Sequence, residues 1–156
     1  MFYDYIIYTD GSCLGNPGAG GWAAVIIDCD TGEISQLHGG ERHSTNNRME
    51  MTAAIAALSN LPANSHVQLF TDSQYLKNAF TKNWLLNWKR NGWLTSQGKP
   101  VLNQDLWFKL DELMSSHDVD FHWVKGHAGF SYNERCDELA RKEALLIRNA
   151  LLIRNA

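Results

Sequence analysis

The chain has 156 residues, 44% apolar and 20% charged, which suits one compact α/β domain with a sizeable core and excludes wholesale disorder. A formal net charge of −3 gives no global reason to expect a polyanionic ligand, so any such binding must rest on a local patch. Cys13, Cys29 and Cys136 fit neither a disulfide frame nor a zinc site, and Met1-Phe2-Tyr3-Asp4 lacks a basic leader; a cytoplasmic protein with reduced thiols and no membrane contact is expected.

Tyr5-Ile6-Ile7-Tyr8-Thr9-Asp10-Gly11-Ser12 is a run of β-formers that ends in a carboxylate and a glycine. It predicts a strand with Asp10 at its mouth, beside a turn whose backbone can approach a ligand. The stretch from Gly11 to Gly21 holds five glycines and a proline and reads as a flexible hairpin connection. It is not a phosphate-binding loop, because no Gly-Lys-Ser/Thr ends it. Strands from Trp22 to Ile27 and from Ile34 to His38 follow, making an antiparallel meander.

Ser44, Thr45 or Asn46 can cap a helix that Pro62 stops. Glu50, Ala53, Ala54, Ala57 and Leu61 share one side of it, so Glu50 is either a carboxylate at the end of a packed stripe or a helix-dipole glutamate. Val67-Gln68-Leu69-Phe70-Thr71-Asp72-Ser73 then repeats the grammar of the first strand. A right-handed crossover would pair the two in parallel, with Asp10 facing Asp72 across roughly 5 Å. Two such carboxylates repel unless a proton or cation lies between them, and a divalent cation is the favoured reading.

A helix is predicted from Ser73, with Tyr75, Leu76, Ala79 and Phe80 as its apolar face. Trp84, Trp88 and Trp93 beside Lys89 and Arg90 form either a stacking and phosphate-tracking surface or a small satellite core. Leu102, Leu106, Leu110 and Leu113 predict an amphipathic helix. A fifth strand around Val119, Phe121 and Trp123 ends at Gly126-His127-Ala128-Gly129, where His127 is either a proton-transfer group or an ordinary surface histidine. In the last helix Asp137 lies along Ala140 and Ala144. The hexapeptide of residues 145–150 recurs unchanged at 151–156. A six-residue step turns the second copy roughly 120° from the first, so both cannot face one core.

Tyr-Thr-Asp-Gly-Ser-Cys-Leu-Gly-Asn-Pro-Gly from Tyr8, Thr-Asn-Asn-Arg-Met-Glu from Thr45, Thr-Asp-Ser-Gln-Tyr from Thr71, Trp-Val-Lys-Gly-His-Ala-Gly from Trp123 and Asn-Glu-Arg-Cys-Asp-Glu-Leu-Ala from Asn133 together resemble type 1 ribonuclease H of the bacterial kind. The resemblance implies a five-stranded mixed sheet in order 3-2-1-4-5 flanked by helices. It implies hydrolysis of the RNA strand of RNA/DNA hybrids to 5′-phosphate and 3′-hydroxyl ends. Asp10, Glu50, Asp72 and Asp137 would then be the catalytic metal-binding carboxylates, and His127 a mobile histidine for proton transfer or product release. Two Mg²⁺ ions, or Mn²⁺, suit such hard oxygen ligands.

By the same resemblance Cys13, Asn16, Asn46, Asn47 and Gln74 grip the hybrid near the scissile bond, where the 2′-hydroxyls of RNA are readable in the minor groove. Thr45, Trp84 and Asn103 would contact the DNA strand, Thr45 and Asn103 near a DNA phosphate, and Lys89 and Arg90 remain candidate substrate-binding residues of the tryptophan-rich segment. The tryptophan-rich segment is less basic than is usual in such relatives, and Phe130 stands where a second histidine is often found. Residues 1–144 are expected to form a single domain, monomeric by default, with 145–156 a repeat that lacks catalytic importance. The rival reading is a catalytically silent hybrid-binding module of the same fold, which would not need four carboxylates and His127.

Overall fold

The computed structural model describes residues 2–125 and 131–154. Its elements in chain order are β1 (Tyr5–Leu14), β2 (Gly18–Asp28), β3 (Ile34–Ser44), α1 (Asn46–Ser59), β4 (His66–Thr71), α2 (Gln74–Thr81), α3 (Trp84–Arg90), α4 (Gln104–Ser116), β5 (Asp118–Trp123) and α5 (Ser131–Arg154). One five-stranded sheet has the expected order β3-β2-β1-β4-β5. The β1–β2 and β2–β3 pairs are antiparallel, while β1–β4 and β4–β5 are parallel.

Alternation along β1 divides its side chains between two cores. Ile7 joins Met51, Ala54, Leu58, Leu69, Trp107 and Leu110 on the face covered by α1 and α4, whereas Tyr8 packs with Ala23, Val25, Cys136 and Ala140 beneath α5. Helix α1 is capped by the Thr45 side chain, which accepts from the Arg48 amide. It is buried on two sides because it lies between the sheet and α4. Full burial of a side chain such as Met51 or Leu58 contributes about 1.5–3 kcal/mol.

The glycine-rich stretch departs from its expected form. Only Gly15, Asn16 and Pro17 connect β1 to β2, and the other glycines lie inside the strands. Gly21 shows why a strand here needs glycine: a Cβ would lie 1.9 Å from the Ala140 carbonyl oxygen, so α5 rests directly on the β2 backbone. Leu102 also departs, lying outside α4 and 78% exposed. The apolar face of α4 is carried by Leu106, Trp107 and Leu110 instead.

Helix α5 continues through the first hexapeptide and most of the second. Ile147 packs over Gly40, while Leu152 and Ile153 are 62% and 77% exposed. The rotation expected between the two copies therefore leaves the second largely in solvent. All three cysteines are free thiols. Among the described residues no helix is long and apolar enough to cross a membrane.

Candidate active site

Strands β1 and β4 run in register from Tyr5 opposite Val67 to Tyr8 opposite Phe70. Two residues further on, Asp10 and Asp72 leave the same end of the sheet. Glu50 reaches them from the first turns of α1, because α1 presses against the end of β1 at Gly11. A Cβ on Gly11 would lie 2.4 Å from the Glu50 amide nitrogen. Carboxylate oxygens of Asp10, Glu50 and Asp72 all lie within 4.8 Å of one another.

Asp10 and Glu50 are 8% and 9% exposed, so Glu50 is the packed carboxylate rather than a solvated helix-dipole residue. Burial pushes Asp10 up to about 7; a hydrogen bond with Glu50 opposes this and the Asp72 charge adds to it. Burial, then the neighbouring Asp10 charge, holds Glu50 well above the ordinary 4.5. Without a cation, both carboxyls hold a proton more readily than free carboxylates do, because burial and the neighbouring negative charges disfavour ionising them together. One donor set remains incomplete: Glu50 Oε2 is buried with no hydrogen-bond partner. A buried carboxylate oxygen without a partner, on a residue grouped with two further carboxylates, fits a hard divalent cation.

Asp137 comes from the second turn of α5 and lines one small cavity with Thr9, Asp10, Asp72, Asn133 and Glu134. Its Oδ2 accepts from Arg141 Nη2 at 2.8 Å. The close contact of α5 with β2 at Gly21, one turn further along, sets how near Asp137 approaches the strands. Three features here escaped the sequence reading. Arg141 holds Asp137, Asn133 Nδ2 is buried without a partner, and Glu134 stands at the rim. The spacing of Asp137 and Arg141, four apart on a helix, was the legible signal for the first. Cys136 is no ligand candidate, since its thiol donates to the Tyr8 carbonyl at 3.3 Å and burial pushes its pKa up to about 12.

Several of the other expected residues are tied together by hydrogen bonds around the start of α1. Asn16 Oδ1 accepts from the Asn46 amide at 3.1 Å, so the β1–β2 turn and the start of α1 form one edge with exposed Asn46 and Asn47. The Cys13 thiol is shared between the Gly18 and Ser44 carbonyls at 3.3 and 3.2 Å. Arg48 bridges from α1 to Asn103 Oδ1 at 3.2 Å and to Asp105 at 3.0 and 2.8 Å. Gln74 is exposed at the first turn of α2.

The two readings of the tryptophan segment both find support. Trp88 packs on Trp107 at 5.4 Å between ring centroids, which ties a satellite cluster of Trp84, Trp88 and Trp93 to the main core. An open groove also runs past Trp84, Trp88 and exposed Arg90. Lys89, by contrast, is drawn into an ion pair with Asp111 at 2.6 Å. His127 and Phe130 lie outside the described residues.

Residues 3–145 match the family model described as RNase H. The chain is 57% identical over 136 residues to the Ribonuclease H of Rhodopseudomonas palustris (strain BisB5), covering 87% of this chain and 89% of that relative. It is 57% identical over 137 residues to the Ribonuclease H of Nitratidesulfovibrio vulgaris (strain DSM 19637 / Miyazaki F), covering 88% and 86%. Among solved structures it resembles LC9-RNase H1, a type 1 RNase H with the type 2 active-site motif, at a TM-score of 0.77 and 31% identity, over 90% of this chain and 71% of that one.

Proposed function

The chain belongs to the RNase H family, and from that premise we propose that it is a metal-dependent endonuclease hydrolysing the RNA strand of RNA/DNA hybrids to 5′-phosphate and 3′-hydroxyl products. The observation that carries this reading is the convergence of Asp10, Glu50 and Asp72, with one buried carboxylate oxygen left for a cation. Asp10, Glu50, Asp72 and Asp137 would hold two Mg²⁺ ions, with Mn²⁺ as the alternative. Bound there, such ions lower the pKa of the attacking water and stabilise the leaving 3′-oxygen.

The protein's own part is to present the ligands rigidly and to orient the hybrid. Two strand ends and two helices fix the carboxylates, so little reorganisation is left for the reaction. Asn16, Asn46, Asn47 and Gln74 offer short polar groups to the 2′-hydroxyls, and Cys13 braces the turn that carries Asn16. Thr45, Asn103 and Trp84 would meet the DNA strand, with Arg48 holding Asn103 in place. His127 would assist proton transfer or product release.

Labelled RNA/DNA hybrid, duplex RNA and duplex DNA, each incubated with Mg²⁺ or EDTA, test the proposal. Cleavage of the hybrid RNA alone, and only with metal, is expected. Hybrid binding without cleavage in Mg²⁺ would instead establish the silent binding module.

Because Lys89 is neutralised by Asp111, the tryptophan segment contributes few phosphate contacts. Binding measured in EDTA should follow log salt with a slope of magnitude about 2–4. A slope of about 6 or steeper would reject the weak basic patch. We further propose that residues 1–144 are the functional unit, a cytoplasmic monomer, and that the second hexapeptide is dispensable. Deleting residues 151–156 should leave hybrid cleavage unchanged and unfolding free energy within about 1 kcal/mol in a urea titration. Loss of activity in a still-folded protein would overturn that.

A further inference from the structure

At the end of β4 opposite Asp72, His66 lies directly across from Asp118 on β5. Asp120, two residues on, projects from the same face of that strand. His66 Nε2 is 3.6 Å from Asp118 Oδ2 and 3.4 Å from Asp120 Oδ2, and ligand atoms of all three residues lie within 4.8 Å of one another. Two surface aspartates alone would be no more than a solvated charge pair; the histidine changes the chemistry.

The ring is fixed from its other side, since Nδ1 lies 2.9 Å from the Phe2 carbonyl oxygen. A carbonyl can only accept, so Nδ1 carries the proton and the Nε2 position faces the two carboxylates. Asp120 Oδ2 is braced in the same way by the Tyr3 hydroxyl at 2.9 Å. A backbone carbonyl behind the imidazole and a donor behind the carboxylate are the outer contacts that ligating histidines and carboxylates characteristically carry. The separations agree with this. His66 Nε2 makes a long hydrogen bond to Asp120 Oδ2 at 3.4 Å, beyond the roughly 2.7–2.9 Å of a close charge-assisted bond, and a metal would take the place of that proton. The edge of a tetrahedron with bonds near 2.1 Å is about 3.4 Å.

We propose that His66, Asp118 and Asp120 form a binding site for a borderline divalent metal of the zinc type, with its fourth position open to water. A nitrogen donor among the ligands favours zinc-like ions over Mg²⁺. His66 is 15% exposed and Asp118 76%, so the imidazole is the rigid ligand and the outer aspartate the entry side. Through Phe2 and Tyr3 the ion would also pin the N-terminal segment to the edge of the sheet. The Phe2 carbonyl and the two carboxylates also raise the imidazole pKa, and a proton would compete with the metal for Nε2.

The site stands apart from the nuclease reading and is tested separately. Protein in weakly alkaline buffer, with millimolar Mg²⁺ to occupy the catalytic carboxylates, is titrated with zinc chloride. Heat of binding and the imidazole NMR resonances of His66 are followed together. Saturable displacement of those resonances is expected. His66→Gln and the double variant Asp118→Asn/Asp120→Asn should each weaken zinc binding at least about tenfold. Resonances of His66 unmoved by zinc in the wild-type protein, or equal zinc affinity in the variants, overturn the proposal.

Discussion

Replacing Asp10 with asparagine is expected to abolish hybrid cleavage while making the metal-free protein more stable at neutral and weakly alkaline pH. The activity loss follows from the proposed role of Asp10 as a metal ligand, since its carboxylate lies within 4.8 Å of those of Glu50 and Asp72. A divalent ion supplies several kcal/mol of transition-state charge stabilisation, so a fall of at least about 10³-fold is expected. The stability gain follows from the sign of the linkage. In the folded, metal-free protein burial raises Asp10 from its ordinary 3.8 to about 7, and burial together with the Asp10 charge also raises Glu50 well above its ordinary 4.5.

A carboxyl raised on folding binds its proton more tightly in the native than in the unfolded chain. Its contribution is therefore fully present below about pH 4 and is lost as pH rises through about 7. Above that range the native state holds mutually repelling carboxylates, at a cost on the order of a few kcal/mol at most. The substituted amide carries no charge to repel. Thermal unfolding in EDTA should show wild-type stability declining from weakly acid to weakly alkaline pH, and a flatter profile for Asp10→Asn. Adding Mg²⁺ should raise the wild-type midpoint more than that of the variant. A variant less stable than wild type in EDTA above pH 7 would refute the account of a charged pocket under strain.

Gly11→Ala is expected to damage both fold and site, although the substitution adds one methyl and removes no functional group. The Gly11 backbone is one that any residue adopts, so the constraint is space. The new Cβ would lie 2.4 Å from the Glu50 amide nitrogen and 2.5 Å from the Met49 carbonyl carbon. Both neighbours are backbone inside α1, so the helix must move. Overpacking of this kind costs about 1–3 kcal/mol, which for a chain of this size lowers the unfolding midpoint by about 3–10 °C.

The same movement carries Glu50 away from Asp10 and Asp72, and displacement of a reacting constellation by about 1 Å costs about 10²-fold in rate. Turnover should fall by that order at saturating hybrid, and raised Mg²⁺ should restore part of it. Wild-type turnover in a folded Gly11→Ala protein would show that the approach of α1 to β1 does not set the site.

The strand grammar of Tyr5–Asp10 and Val67–Asp72, a helix cap among Ser44, Thr45 and Asn46, and the helical spacing of α4 were legible because each is local, and the structure then selects Thr45 as the cap. A strand that ends in a carboxylate declares its end wherever the strand lies, and the crossover rule then leaves few ways to pair two of them. The glycine-rich stretch misled for the complementary reason. Glycine's intrinsic preference for turns is overruled where helices press on the sheet at Gly11 and Gly21, and only packing reveals that pressure. Leu102 matched the helical period but fell outside the helix, since the chain enters α4 through Asn103 in the left-handed conformation, φ 63°.

From the order of residues alone, then, came the family motifs, because these are patterns a few residues long, and through the resemblance they carry came the sheet order and the four candidate carboxylates. The tertiary structure alone decided that Glu50 retains an unpartnered oxygen, that Lys89 is spent on Asp111, and that His66 meets Asp118 and Asp120 across two strands. Each of those depends on how closely distant segments approach. That distance is set by burial and close packing of the whole core, to which no local stretch of sequence has access.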